Sequence, residues 1–497
     1  MTPLKNRKKI ALCLAALGSA ALCLPTYAQL RAFGEAEGYG ANASGGRAGT
    51  IYHVTNLLDS GSGSFRDAVS GSNRIVVFDV GGVINLSTAV SAQSNLTILG
   101  QTAPGTGISI SGAEVSFDSK NNDIMRYMRI RPGDPSVASD DALALGNANN
   151  VIIDHTSLEF GKWNNIDAVS DSTVTANVTI QNSIIADPIS NGTDNRGQGF
   201  GAHLEAVNGF FTLSNNLWAS GHSREPLAKV NEQFKNNVEY NNEIGYLTSG
   251  TSTPFDHDVV NNAFIFGPAS TSSGDFGQLS TPDTFYATGN VQDTNKDGVW
   301  NPTATAPSTV NPLSPTPLHA STLALPTLSA ADAYTYVLNH VGASLTRDQL
   351  DSLLIGQVQT LGSGTAGFTA GTAGPAVTEV PLDVENPDAG HTGLYHKASD
   401  TGLANGGLGT IALTSQSAGF DTDGDGIPNT WETAHGLNPN VADSLTTNPL
   451  GYRMIEQYAN ELGQENDTRT SIGAPTGEFS APANWTGSVI PGVYDYA

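Results

Sequence analysis

The chain has 497 residues, a formal charge of −25 and 55 glycines. So acidic a protein repels nucleic acid and anionic membrane, and neither is an expected partner. Both cysteines, Cys13 and Cys23, lie among the first 28 residues, so the remainder has no disulfide framework and depends on a large core and bound ions.

In chain order, Lys5, Arg7, Lys8 and Lys9 precede an apolar run, 10–24, and a turn ending at Ala28. That is the three-part form of a secretory signal, too short for a comfortable membrane span. Residues 1–28 are expected to be cleaved off, which removes four cations and takes the charge to −29. A secreted monomer, extracellular or periplasmic, is the expectation.

Glycines break residues 30–50 into turns, and alternation after Thr50 reads as a strand. Ser64-Phe-Arg-Asp-Ala-Val69 makes a short amphipathic helix, and Arg74-Ile-Val-Val-Phe-Asp-Val80 returns to strand. A period then sets in. Aligning Leu96, Ile124, Val151, Val178, Phe211 and Val238 gives steps of 28, 27, 27, 33 and 27 residues. Strand-like units at that spacing, without helical periodicity between them, predict an all-β, right-handed parallel β-helix with those six side chains stacked inside. Asn pairs at 215–216, 236–237, 241–242 and 261–262 recur where strands must bend, as expected of amide ladders running from coil to coil.

Beyond residue 300 the composition changes. Ser329 caps one predicted helix, and residues 347–358 form a second. The acids of Asp421-Thr-Asp-Gly-Asp-Gly-Ile-Pro-Asn-Thr-Trp-Glu432 alternate along a glycine-bent turn, with Glu432 in the twelfth position from Asp421. Asp421, Asp423, Asp425 and Glu432 therefore predict a structural Ca2+ loop, with a plain acidic turn as the alternative. The expected organisation is a signal peptide, 1–28; a β-helix, 29–328; a helical and Gly/Thr-rich segment on the solenoid, 329–418; and the calcium loop and tail, 419–497.

Gly45-Gly-Arg, Ser64-Phe-Arg-Asp-Ala-Val69, Gly100-Gln-Thr-Ala-Pro-Gly105, Arg129-Ile-Arg-Pro-Gly-Asp134, Asn150-Val-Ile-Ile-Asp-His155 and Ser223-Arg-Glu-Pro226 stand in order along the chain. Through them it resembles the secreted pectate lyases of polysaccharide lyase family 1, over roughly residues 30–300. The C-terminal loop is similar to extensions of bacterial members. The resemblance implies calcium ligands at Asp141, with Asp140 beside it, and at Asp167, with Asp171 as a substitute. It implies Arg224 as the catalytic base and Lys229 as a cation for a substrate carboxylate. The lysine that members carry before the preceding strand is absent, and Arg196 or His203 stands in its place. Asp154 and His155 are read as structural. The 26 residues between Asp141 and Asp167 nearly equal the repeat, so the two acids are expected on successive coils, close enough to share one ion.

The implied chemistry is calcium-assisted β-elimination of polygalacturonate, giving unsaturated oligogalacturonides. Three alternatives stay open: a lyase for another uronan or for methylated pectin, a β-helical hydrolase recasting Asp140, Asp141 and Asp167 as acid and base, and a non-catalytic carbohydrate-binding adhesin.

Overall fold

Short runs of β-branched residues, separated by single left-handed corner residues, wind the chain into coils. The computed structural model describes residues 30–133, 141–189, 199–248, 253–308, 313–319, 327–363, 394–395 and 397–464. Its strands form three long sheets. The first contains Val90–Ser91, Val115–Ser116, Leu143–Ala144, Asn164–Val169 and the leading halves of Phe200–Ser214 and Leu227–Lys235. The second begins at Thr50–Val54 and Arg74–Phe78, passes through Leu96–Leu99, Asn121–Arg126, Asn149–Asp154 and Ala176–Gln181, and takes in the trailing halves of those two long strands. The third runs from Val80–Asn85 to Val291–Asp293. Neighbouring coils pair in parallel throughout, so the architecture is a parallel β-helix. Antiparallel strands cover the two ends of the third sheet, Thr414–Ser415 on Val80 and Gly81, and Thr303–Ala304 on Val291 and Gln292. Covering an exposed edge prevents pairing with another chain.

Asparagine makes the corner between the second and third sheets. Its first residue is left-handed in coil after coil: Asn182, Asn215, Asn236 and Asn261 have φ between 50° and 56°, with Gly289 at 69°. Asn tolerates this region better than most residues. The next residue forms the ladder. The backbone N–H of Asn216 donates to Asn237 Oδ1 (3.0 Å), that of Asn237 to Asn262 Oδ1 (2.9 Å), and that of Asn262 to Asn290 Oδ1 (2.9 Å). Each amide thus satisfies a buried donor one coil away. Asn241 and Asn242 belong to a different corner, where Asn242 Oδ1 accepts from the Gly221 N–H (3.1 Å).

The predicted core register needs correcting at two of its six positions. Val151, Val178 and Phe211 are paired neighbours, and Leu96 lies in the same column. Ile124, however, pairs with Thr97 and Ile152 and points outward, against Ala32 and Phe33. Asp123 takes the inward place opposite Val151. The true equivalent of Asn95 and Asn150 is Asn122, as the amide bonds Asn122–Asn95 (2.8 Å) and Asn150–Asn122 (3.0 Å) show. Aligning Asp123 there instead slips the register by one residue, which exchanges the two faces of a strand. Val238 lies in the third sheet, and the residue stacked on Phe211 is Glu232.

The later segments dock on the coils. Helix Ala330–His340 is capped by Ser329, and Gln349–Gln359 by Asp348. The two arginines of Arg129-Ile-Arg131 are buried beneath these elements: Arg129 Nη1 and Nη2 donate to the carbonyls of Thr106 and Ala343, and Arg131 binds Glu159, Asp348 and Asp351. Asp154 is structural, accepting from Arg126 (2.8 Å), Gln181 (2.9 Å) and Asn182 (3.1 Å), with His155 Nδ1 at 2.9 Å.

Candidate active site

A row of polar side chains crosses the outer face of the first sheet. Its order follows from strand pairing: Asp167 pairs with His203, Val169 with Glu205, and Glu205 with Lys229. Period-2 alternation sends Ala202 and Leu204 inward and leaves His203 and Glu205 outside. Asn164 Nδ2 donates to Asp141 Oδ1 (3.1 Å) and lies 3.5 Å from Asp167 Oδ1. His203 has Nδ1 3.8 Å from Asp167 Oδ1 and Nε2 3.1 Å from Glu205 Oε2, and Lys229 Nζ donates to that same Glu205 oxygen (3.0 Å).

Arg224 reaches into this row from just before strand Leu227–Lys235. Its backbone is left-handed, with φ of 63°, its guanidinium lies 3.9 Å from the centre of the Phe200 ring, and Nη1 donates to Asn164 Oδ1 (3.1 Å). The ring fixes the plane of the guanidinium, and the amide fixes its end. Burial pushes the Arg224 pKa below its ordinary value, with Asp167 and Asp141 pulling the other way. His203 is also lowered, first by burial and then by Arg224, against the opposing pull of Glu205.

The two acids are not level on neighbouring coils as expected. The coil here measures 23 residues, so Asn164 stands opposite Asp141, and Asp167 pairs with Ala144. The shared amide of Asn164 brings the acids together in spite of the offset. Both are hard carboxylate donors of the kind calcium prefers, and they are the residues that would hold the ion the resemblance implies. Burial and the neighbouring acid Asp118 push Asp167 up to about 6, against the pull of Arg224, which is the behaviour of an acid short of positive charge. Calcium takes about six to eight oxygens. Water and a substrate carboxylate would complete such a shell.

Asp171 is placed apart from this group. It lies four residues past Asp167, where its N–H donates to Asn147 Oδ1 (2.7 Å) and its Oδ2 accepts from Asn147 Nδ2 (3.2 Å). Asp140 and Arg196 lie outside the described residues, as does the expected signal peptide, 1–28. Asn164, Phe200 and Glu205 escaped the sequence reading. Strand alternation from His203 marks Glu205, whereas nothing in the sequence singles out Phe200 or Asn164.

The C-terminal acids gather separately, against the first coils of the second sheet. Asp421, Asp423 and Asp425 form one cluster, and Asp425, Glu432 and Asp443 an overlapping one. Burial and the four aspartates push Glu432 up to about 7.

The fold and site define a parallel β-helix protein whose first sheet carries a row of acids, a histidine and a lysine on its outer face, with an arginine clamped above it. No protein-family model matches the chain. It is 37% identical over 445 residues to a probable pectate lyase C of Aspergillus fumigatus, covering 87% of this chain and 94% of the relative, and 36% identical over 460 residues to that of Emericella nidulans, covering 90% and 96%. The cedar-pollen allergen Jun a 1 superposes with a TM-score of 0.45 at 16% identity, over 61% of this chain and 92% of its own. The chain belongs to the pectate lyase family. These curated relatives are fungal, whereas the C-terminal loop suggested bacterial members. A match over 87% of the chain reaches past Asp421, so at least the start of the C-terminal loop lies within the shared sequence.

Proposed function

We propose that the protein is a secreted enzyme that cleaves polygalacturonate by calcium-assisted β-elimination, with Arg224 as the base. The observation that carries this reading is the clamp on Arg224. Phe200 and Asn164 hold the guanidinium beside Asp141 and Asp167, and burial disfavours its charged form. Arginine is a poor base in water because it is almost wholly protonated. A lowered pKa is what the task requires.

In the reaction, Arg224 removes the proton from C5 of the residue whose carboxylate faces Asp141 and Asp167. The C5–H electron pair becomes the C4=C5 double bond, the C4–O bond breaks, and the departing oxygen takes a proton from solvent. The charge that develops on the substrate carboxylate during this step needs positive partners. Lys229 supplies one, oriented by Glu205, and His203 links Glu205 to the Asp167 side of the row. The chemistry calcium supplies when bound is neutralisation of that carboxylate.

The test is an incubation with polygalacturonate, with and without chelator. A product absorbing in the ultraviolet, formed only with calcium, is expected. New reducing ends without that absorbance would establish hydrolysis, and activity surviving exhaustive chelation would remove calcium from the mechanism.

A further inference from the structure

The acids near the C-terminus gather in a cluster that the β-elimination chemistry does not use. Asp421 folds the loop on itself: Oδ1 accepts from the N–H groups of Gly424 (2.8 Å) and Asp425 (3.3 Å), and Oδ2 from that of Gly426 (2.7 Å). Gly424 and Gly426 have φ of 74° and 92°, conformations that L side chains rarely adopt. Asp425 then reaches a second loop, its Oδ2 accepting from the N–H groups of Asp443 (2.9 Å) and Ser444 (2.8 Å). That contact draws Asp443 in beside Glu432.

Several carboxylate oxygens here are unpartnered. Both oxygens of Asp423, both of Glu432 and Oδ1 of Asp443 are buried without a hydrogen-bond donor. Glu432 is 0% exposed, so water does not solvate it. A buried carboxylate left bare costs several kcal/mol, and a cluster of them must be offset by a bound cation or by protonation. Ligand atoms of Asp421, Asp423 and Asp425 lie within 4.8 Å of one another, as do those of Asp425, Glu432 and Asp443. Such an all-oxygen, carboxylate-rich set suits calcium, whereas magnesium dehydrates reluctantly and demands stricter geometry.

The two loops belong to one docked unit. Ile427, Ile455, Tyr458 and Ala459 pack on Ile75, Val77 and Leu99, on the outside of the second sheet. Trp431 Nε1 donates to Glu461 (2.7 Å), tying the loop to helix Met454–Gln464. That helix places Glu456 on Arg47 (2.9 Å) and Asn460 on Arg126 (2.9 Å). Arg126 in turn holds Asp154.

We infer that one Ca2+, bound by Asp421, Asp423, Asp425, Glu432 and Asp443, joins the two loops and locks the C-terminal extension onto the first coils of the β-helix. Asp443 is the ligand that sequence spacing does not disclose. The lock is independent of the lyase reading, and it holds whatever substrate the first sheet takes.

The test uses the full chain. Terbium replaces calcium, and its emission is excited through tryptophan. The component lost in Trp431→Phe reports the loop alone, apart from any ion near Asp141. Asp443→Asn and Glu432→Gln are each expected to raise the terbium concentration needed for half of that component at least about tenfold. In wild-type protein, chelation should open residues 419–464 to protease before the β-helix is cut, and calcium, unlike magnesium, should restore protection. An Asp443→Asn titration that superimposes on wild type removes Asp443 from the site. Protection that is unchanged by chelator in the wild type overturns the lock without calling on any variant.

Discussion

Replacing Arg224 with Lys keeps a titratable cation and removes the planar guanidinium. The variant keeps a cation but loses the planar fork that lies on Phe200 at 3.9 Å and reaches Asn164 at 3.1 Å. Stacking of this kind contributes about 0.5–2 kcal/mol and the hydrogen bond about 0.5–1.5 kcal/mol. Lysine retains some of the first, so folding stability should fall by no more than about 1–2 kcal/mol. Turnover should fall much further, by about 10² to 10⁴, the range for a positioned acid or base. At about 1.36 kcal/mol per tenfold that is roughly 3–5 kcal/mol, well beyond the loss in stability. The assay is initial rate on saturating polygalacturonate by ultraviolet absorbance, at fixed calcium, beside a thermal melt. A folded Arg224→Lys enzyme within about tenfold of wild-type turnover would show that the planar fork held by Phe200 and Asn164 is not what the reaction needs at this position.

Three further outcomes are expected. Asp141→Asn should weaken calcium-dependent turnover and recover part of it in excess calcium, because Arg224 stays in place; a rate that does not respond to added calcium would remove Asp141 from the ion's shell. Asn237→Ala leaves the buried N–H of Asn216 and the carbonyl of Leu213 without their ladder partners, a loss of about 2–5 kcal/mol readable in denaturant melts, and an unchanged midpoint would make the ladder ornamental. Asp123 stands in the core, its Oδ1 accepting from the Leu96 N–H (2.8 Å) and its Oδ2 without a donor, and burial pushes its pKa up to about 8. Between the ordinary carboxylate value near 4 and about 8, the folded chain therefore holds a proton that the unfolded chain has released, and stability falls as pH rises through that window. Asp123→Asn should remove this dependence, so its melting temperature gains on wild type from pH 5 to pH 8, and parallel curves would contradict the assignment.

The sequence by itself determined the repeat, the turn chemistry and the clustering of acids in the 421–432 loop, because these are local. A coil of about 27 residues, an Asn pair at a corner and acids alternating along a glycine-bent turn each carry their own physical reason within a short window. Arg224 and Lys229 were legible only through resemblance, since an isolated arginine in a loop reads as a surface ion pair. Register was decided by the tertiary structure. Asn122, left-handed at φ 66° like Asn95 and Asn150, is the corner residue of its coil, so Asp123 faces inward and Ile124 outward, a one-residue matter that periodicity alone does not resolve. The same holds for the active-site row. A 23-residue coil, shorter than the average repeat, sets Asn164 between Asp141 and Asp167, and Phe200 lies under Arg224 because strands distant in sequence are neighbours across coils. Asp443 joins Glu432 for a similar reason: an aspartate in one loop accepts the backbone N–H groups of another, a contact that no spacing rule encodes.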